Sequence, residues 1–307
     1  SAAETDWNVA FGGQPLFTAK GSASLGASTR PKVQAISAAP TVRANDRTME
    51  VGTGPTAATK AVGGMMVAFG TGRNVTTGDP TNVDVQTLYS VLDNTQYQYR
   101  SPAPAMGKRL AVHPGGGSVP APTAAGAMGN GGVLSGGSKL AEQKISAVAT
   151  PGYGTVDAVQ QLDKTTWSNY RGWYMDYTAI GERQLKPIEF YDGSNILAVY
   201  SQVPARGSNA TPTGESCNTT TALQERQFRT FINIMDGKRP TVQLMDMTGD
   251  GKFDTSDLGV SHAEVSGGSH TIVTKGNRIV DIDQNNKHET LNRMPEQSLR
   301  PSWRQLK

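Results

Sequence analysis

The sequence predicts an all-β protein, a propeller or a sandwich of short strands joined by tight turns. Three observations carry that expectation. More than ten short apolar or alternating runs, each bounded by Gly, Pro, Asn or Asp, are spaced along the chain. The 307 residues include 35 glycines and 17 prolines but only 18% charged residues, which suits strands and turns. Apart from one short stretch, no segment carries the 3.6-residue apolar period of an amphipathic helix.

Taken in order, residues 7–11 and 14–19 flank Gly12-Gly13 and read as two short strands about a turn. Residues 32–43 alternate imperfectly and contain Pro40, which suits an edge strand or a strand end. Residues 65–69 and 85–93 continue the β pattern, separated by Gly70-Thr71-Gly72-Arg73. That glycine pair lacks the third glycine and the following helix of a dinucleotide-binding turn, so it reads as the end of a buried strand.

Residues 101–138 change character, with glycine pairs and triplets among prolines and alanines. Such a stretch buries too little apolar surface to offset its ordering entropy, and it reads as a surface insertion. Residues 203–221 read as a second one. Between them, 140–149 reads as a strand, 156–162 as a short helix, and 170–177 as an aromatic-rich strand packed in the core. Residues 196–203 and 229–235 are further strands, the latter turning at Asp236-Gly237 into a strand over 239–245. Residues 269–274 and 277–283 pair across Lys275-Gly276.

The stretch 246–257 is where spacing dictates a particular chemistry. Asp246, Thr248, Asp250, Asp254 and Asp257 fall at positions 1, 3, 5, 9 and 12, Gly251 falls at 6, and Lys252 at 7 offers its backbone carbonyl. This is the arrangement of an EF-hand-type calcium loop, whose cation takes six to eight hard oxygens. Gly251 is required because the chain turns sharply there through backbone angles that a Cβ hinders. A solvated Asp-rich turn would account for single positions, not for five ligand positions and the glycine together. Four carboxylates drawn together without a cation repel by about 1 kcal/mol per pair at ~4 Å in water, so the metal-free loop is expected to splay. Thr248 gives a weak hydroxyl where Asp or Asn is usual, and Asp257 replaces a bidentate Glu; a modest affinity follows. Strand-like flanks make this a calcium loop set in a sheet.

Other functions are excluded by what is missing. A net charge of +3, with scattered basic residues, argues against nucleic acid or an anionic membrane as main partner. No run of ~18 apolar residues is present to span a bilayer. His113, His262, His270 and His288 stand in no zinc-binding spacing and read as surface or loop residues. Cys217 is the only cysteine, so it closes no disulfide within the chain, and its polar surroundings give it no activating partner. The acidic run Asp281 to Asn286 lacks the glycine of a calcium loop. Millimolar extracellular calcium suits a loop of modest affinity better than the cytosol does. The first residues, 1–7, lack the basic and apolar regions of a signal peptide and read as the interior of a longer chain.

Several of these stretches, in this order, resemble the C-terminal propeller domain of the PilC/PilY family of type IV pilus biogenesis proteins and tip adhesins. They are Gly13-Gln14-Pro15-Leu16-Phe17, Ile36-Ser37-Ala38-Ala39-Pro40, Phe69-Gly70-Thr71-Gly72, Leu88-Tyr89-Ser90-Val91-Leu92-Asp93, Gly172-Trp173-Tyr174 with Gly181-Glu182-Arg183, the 246–257 loop, and Ser302-Trp303-Arg304-Gln305-Leu306. The resemblance implies a modified β-propeller over 1–307, or its C-terminal portion, with the two insertions outside the core. It also implies a non-enzymatic protein at the cell surface, pilus tip or outer membrane, whose bound Ca2+ governs pilus extension and retraction, with twitching motility and adhesion downstream. Its metal residues would be Asp246, Thr248, Asp250, Lys252 through its carbonyl, Asp254 and Asp257. The implied partners are minor pilins, the adhesive N-terminal region, and a host or abiotic surface. A ring cut in this way would leave a strand edge for that N-terminal region or another chain to cover.

Two other classes compete. A quinoprotein-type propeller enzyme would need a cofactor-sized site of convergent polar groups, and no such constellation stands out. A dockerin-like module shares the Asp at position 12 but needs two loops on short helices.

Overall fold

The computed structural model describes residues 16–20, 33–52, 54–95, 97–100, 109–112, 139–205, 225–276 and 278–295. Among them the chain is all-β, with 3-10 turns and no α-helix. The first strands are β1 (Thr41–Ala44), β2 (Thr48–Val51), β3 (Ala58–Ala61), β4 (Met65–Gly70), β5 (Thr87–Asp93), β6 (Tyr97–Arg100) and β7 (Arg109–Val112). Then come β8 (Lys139–Ala147), β9 (Tyr153–Ala158), β10 (Tyr170–Asp176), β11 (Glu189–Phe190), β12 (Ile196–Val203) and β13 (Arg226–Asn233). The last are β14 (His262–Val265), β15 (His270–Lys275), β16 (Arg278–Asp283) and β17 (His288–Leu291).

Ten strands join in one sheet of order β1-β4-β5-β10-β8-β9-β14-β13-β12-β11, while β15-β16-β17 form a separate three-stranded sheet and β2-β3 and β6-β7 are hairpins. The blades are thus not separate. The long sheet curls until its two end strands meet. Thr41 Oγ1 of β1 donates to the Ile188 carbonyl beside β11, Arg43 donates to the carbonyls of Gly193 and Ser194, and its guanidinium lies 4.8 Å from the Phe190 ring centroid. The cut edge expected from the sequence is bridged within the fold by these side chains.

Period-two alternation explains the layers. On β5, Leu88 and Leu92 face an inner cluster with Met66, Trp173, Met175, Leu197, Val199 and Ile232, whereas Tyr89 and Val91 face outward to Phe69, Tyr174 and Leu140. That outer patch is covered by Phe17 and Ala19. On β12 and β13 the inner residues join the same inner cluster. Their outward Ile196, Ala198 and Phe231 pack with Leu244, Met245, Val260, Ile279 and Leu291. This third cluster seats both the 246–257 loop and the three-stranded sheet against the curled one.

Strands at 65–70, 87–93, 139–147, 170–176, 196–203, 270–275 and 278–283 match the sequence expectations closely, whereas the stretch expected over 32–43 gives a strand only at 41–44, after single bridges at Val33 and Ile36. Four readings are corrected. Residues 153–158 are a strand, not the start of a helix: Gly154 and Val156 are buried while their neighbours are partly exposed, and β9 pairs antiparallel with β8. Residues 109–112, inside the first insertion, form β7 against β6. No strand forms over 239–245; after the turn at Gly237 the chain runs irregularly past Pro240, with Met245 alone bridged to Leu291. His262 and His270 are not surface residues, as described below. The strand pair at 7–11 and 14–19 falls largely outside the described residues, as do most of both insertions, Cys217 and His113.

Candidate metal centre

The lead-in to the loop is anchored by burial. Leu244 and Met245 are buried, and the Leu244 carbonyl accepts from Asn292 N at 3.0 Å. From Asp246 the chain leaves the core. Asp246 Oδ1 accepts from Gly249 N at 2.6 Å and from Thr248 Oγ1 at 3.3 Å, and its Oδ2 accepts from Gly251 N at 2.7 Å. Gly251 has φ of +80°, the left-handed conformation that the spacing demands. Asp250 Oδ1 accepts from Lys252 N at 2.9 Å, and Lys252 Nζ lies 3.8 Å from Asp250 Oδ2.

The far end of the loop closes on Asp257. Asp254 caps a 3-10 turn, Thr255–Asp257, by accepting from Ser256 N and Oγ at 2.8 and 2.7 Å. Those two bonds, the hydroxyl's first, together with Lys252 hold the Asp254 carboxyl below its usual range. Asp257 is fully buried, and it accepts from Met247 N at 2.8 Å, Thr248 N at 3.2 Å and Asp254 N at 3.1 Å. The structure therefore brings Asp246, Thr248, Gly251, Asp254 and Asp257 into one hydrogen-bonded loop, with Asp257 as its clasp.

The donor set is chemically suited to calcium: the Asp and Thr side chains and the Lys252 carbonyl all offer hard oxygens, with no imidazole or thiolate. Asp246 is partly exposed, and Thr248, Asp250, Lys252 and Asp254 are exposed, so a cation can reach them. The carboxylates are spent on loop N–H groups rather than turned to a common point. Among the described residues no group of three or more His, Cys, Asp or Glu side chains stands together at metal-holding distance. Asp250 and Asp254 would have to swing inward to share an ion with Asp246.

A second polar centre escaped sequence reasoning. Arg229, fully buried on β13, meets Asp281 Oδ2 of β16 and Glu289 Oε1 of β17, each at 2.5 Å. Tyr200 of β12 donates to the same Asp281 oxygen at 3.0 Å, and His270 Nδ1 lies 3.0 Å from Asp281 Oδ1. Of these groups His270, Asp281 and Glu289 border a cleft, also lined by Tyr153, Glu264 and Asp283. Its only sequence signal is a basic residue in a strand between two phenylalanines, Arg229 in Phe228-Arg229-Thr230-Phe231. His262 is buried elsewhere, 2.9 Å from Thr230 Oγ1, and burial pushes its imidazole down to about 4.

No family model and no curated protein matches the chain. Among solved structures, the chain is similar to the crystal structure of the Pseudomonas aeruginosa PilY1 C-terminal domain, with a TM-score of 0.53 and 18% identity. The match covers 93% of this chain and 49% of that one, so this chain spans about half its length. At that identity the likeness is one of fold. This chain has the all-β, propeller-like fold of the PilY1 C-terminal domain.

Proposed function

We propose that the chain is the calcium-responsive, non-enzymatic C-terminal part of a type IV pilus-associated surface protein, and that its 246–257 loop regulates pilus extension and retraction. What supports the pilus association is the fold match over 93% of the chain, in line with the resemblance of its motifs. The observation that carries the calcium reading is the path of the loop. Asp246 gathers the N–H groups of Gly249 and Gly251, and Asp257 clasps both ends, which keeps the oxygen-bearing residues within one short loop. Asp246, Thr248, Asp250, the Lys252 carbonyl, Asp254 and Asp257 are the residues that would hold the ion. When bound, calcium would supply the charge that lets these carboxylates converge. The partners in this reading are minor pilins and the adhesive N-terminal region. The location is the cell surface or pilus tip. Among the described residues no helix is long and apolar enough to cross a membrane.

If the loop binds at roughly 10⁻⁵ M in about 10⁻³ M calcium, binding stabilises the folded loop by about 2.7 kcal/mol. Isothermal calorimetry tests this directly. Wild type should bind one calcium, Asp246→Ala and Asp250→Ala should lose most of the affinity, and Asp254→Ala, whose position often acts through water, should lose less. Equal affinity in all four proteins, or none in wild type, refutes the calcium reading. Altered twitching in cells carrying Asp250→Ala would test the regulatory role separately.

A further inference from the structure

His270, at the start of β15, sits where the three-stranded sheet meets the ten-stranded one. Its ring stacks on Tyr200 of β12, with centroids 5.2 Å apart and planes 25° from parallel. Nδ1 lies 3.0 and 3.1 Å from the two carboxylate oxygens of Asp281, and Nε2 lies 2.8 Å from the Ser266 carbonyl in the link after β14. Both partners only accept hydrogen bonds. A neutral imidazole carries one N–H, so one nitrogen would turn a lone pair toward an acceptor; the imidazolium donates to both.

The charges around the ring favour that form. Arg229 of β13 faces two carboxylates, Asp281 and Glu289, so the centre holds one negative charge more than Arg229 can match until His270 is protonated. Glu264 of β14, bordering the same cleft, is occupied by Arg226 at 2.7 Å. Asp283 of β16 accepts from Ser266 Oγ at 2.6 Å and adds negative charge nearby. Lys287 and His288 also line the cleft, and Lys186 donates to the Gly268 carbonyl at 2.6 Å.

We propose that His270 is a pH-operated latch between the two sheets: its imidazolium ties β15 to the β14 end and to Tyr200, and its deprotonation loosens the three-stranded sheet. The loosening reaches the 246–257 loop through β17, which carries both Glu289 and Leu291, the residue bridged to Met245 just before Asp246. Burial alone would lower the His270 pKa. The bonds to Asp281 and to the Ser266 carbonyl, with the Asp281 charge, outweigh it and hold the group above its ordinary value. A raised folded value means that the latch contributes fully below about pH 6.5 and is lost as pH rises through that higher value. This inference does not depend on calcium.

The test is hydrogen exchange on the full chain without calcium at about pH 6 and pH 8.5, after correction for intrinsic rates. In wild type, amides of β15 to β17 and of Leu244 and Met245 should open more at the higher pH. The rise should be about tenfold for each pH unit by which the folded titration midpoint exceeds the unfolded one. Strands β4 and β5 should change less, by no more than the global loss that buried Glu182 brings. His270→Gln should abolish the excess change of β15 to β17 over β4 and β5. Equal pH dependence in the variant, or none in wild type, overturns the proposal. Should the variant fail to fold, ¹⁵N NMR of the wild-type imidazole decides. Two protonated nitrogens at pH 6, with one proton lost above about pH 6.5, supports the latch; a neutral ring at pH 6 refutes it.

Discussion

Asp257 stands at the position of a calcium ligand, yet its geometry makes it a structural clasp before any metal binds. Replacing it by Ala leaves the N–H groups of Met247, Thr248 and Asp254 without their acceptor. Each hydrogen bond to a charged group contributes about 1.5–3 kcal/mol when buried, and an orphaned buried N–H costs about 1–3 kcal/mol. Water reaches this loop once it opens, so the lower bound for three orphaned N–H groups, about 3 kcal/mol, is the expected loss. Asp257→Asn keeps one oxygen and places an amide N–H against a backbone donor, which should cost about 1–3 kcal/mol. Asp250→Ala is the control. Asp250 is exposed and accepts from Lys252 N alone, so its loss should cost less than about 1 kcal/mol. Urea unfolding in the presence of a chelator reads these differences without any contribution from calcium. If Asp257→Ala matches wild type there, or if Asp250→Ala is the more damaging change, the clasp assignment is wrong.

Two further outcomes follow from the fold. Glu182 is buried, accepts from Ser201 Oγ and Ala179 N, and is pushed up to about 7 by burial. A raised folded value means that this acid favours folding at low pH and that its contribution is lost between about pH 4.5 and 7, at no more than about 1.4 kcal/mol per pH unit. Glu182→Gln should flatten that part of the wild-type stability profile, and an unchanged slope would count against it. Gly172 sits at φ of +117° in the irregularity of β10, and a Cβ there would come within 2.0 Å of the Ser90 carbonyl oxygen. Gly172→Ala should therefore pry β10 from β5 and lower the urea midpoint sharply; a variant as stable as wild type would show that the backbone can move aside.

Much of the local structure was legible in the sequence because its causes are local. Alternation placed β4, β5, β10, β12, β15 and β16 within a few residues. In the 246–257 loop Gly251 takes the positive φ that its place in the spacing requires. Where the local signal was mixed, the reading failed. Residues 156–162 carry apolar residues at helical as well as strand spacing, and pairing with β8 decided for a strand. Residues 239–245 alternate well enough, but Pro240 and the tight turn at Gly237 leave the lead-in only one bridge, to Leu291.

Three things were decided only by tertiary structure. One is that the strands join in a single curled sheet, with β8 parallel to β10 and β1 brought to β11; the contacts between Arg43 and residues 193 and 194 span about 150 positions. Another is that Asp257 turns inward as a clasp, because Met247 and Thr248 return to it across the loop. The third is the cluster of Arg229, Asp281, Glu289 and His270. Alternation alone cannot tell whether an isolated charge in a strand faces water or core. Arg229 is tolerated inside because β16 and β17 deliver two carboxylates from more than fifty residues away, and desolvating a charge is offset only where such partners arrive with good geometry.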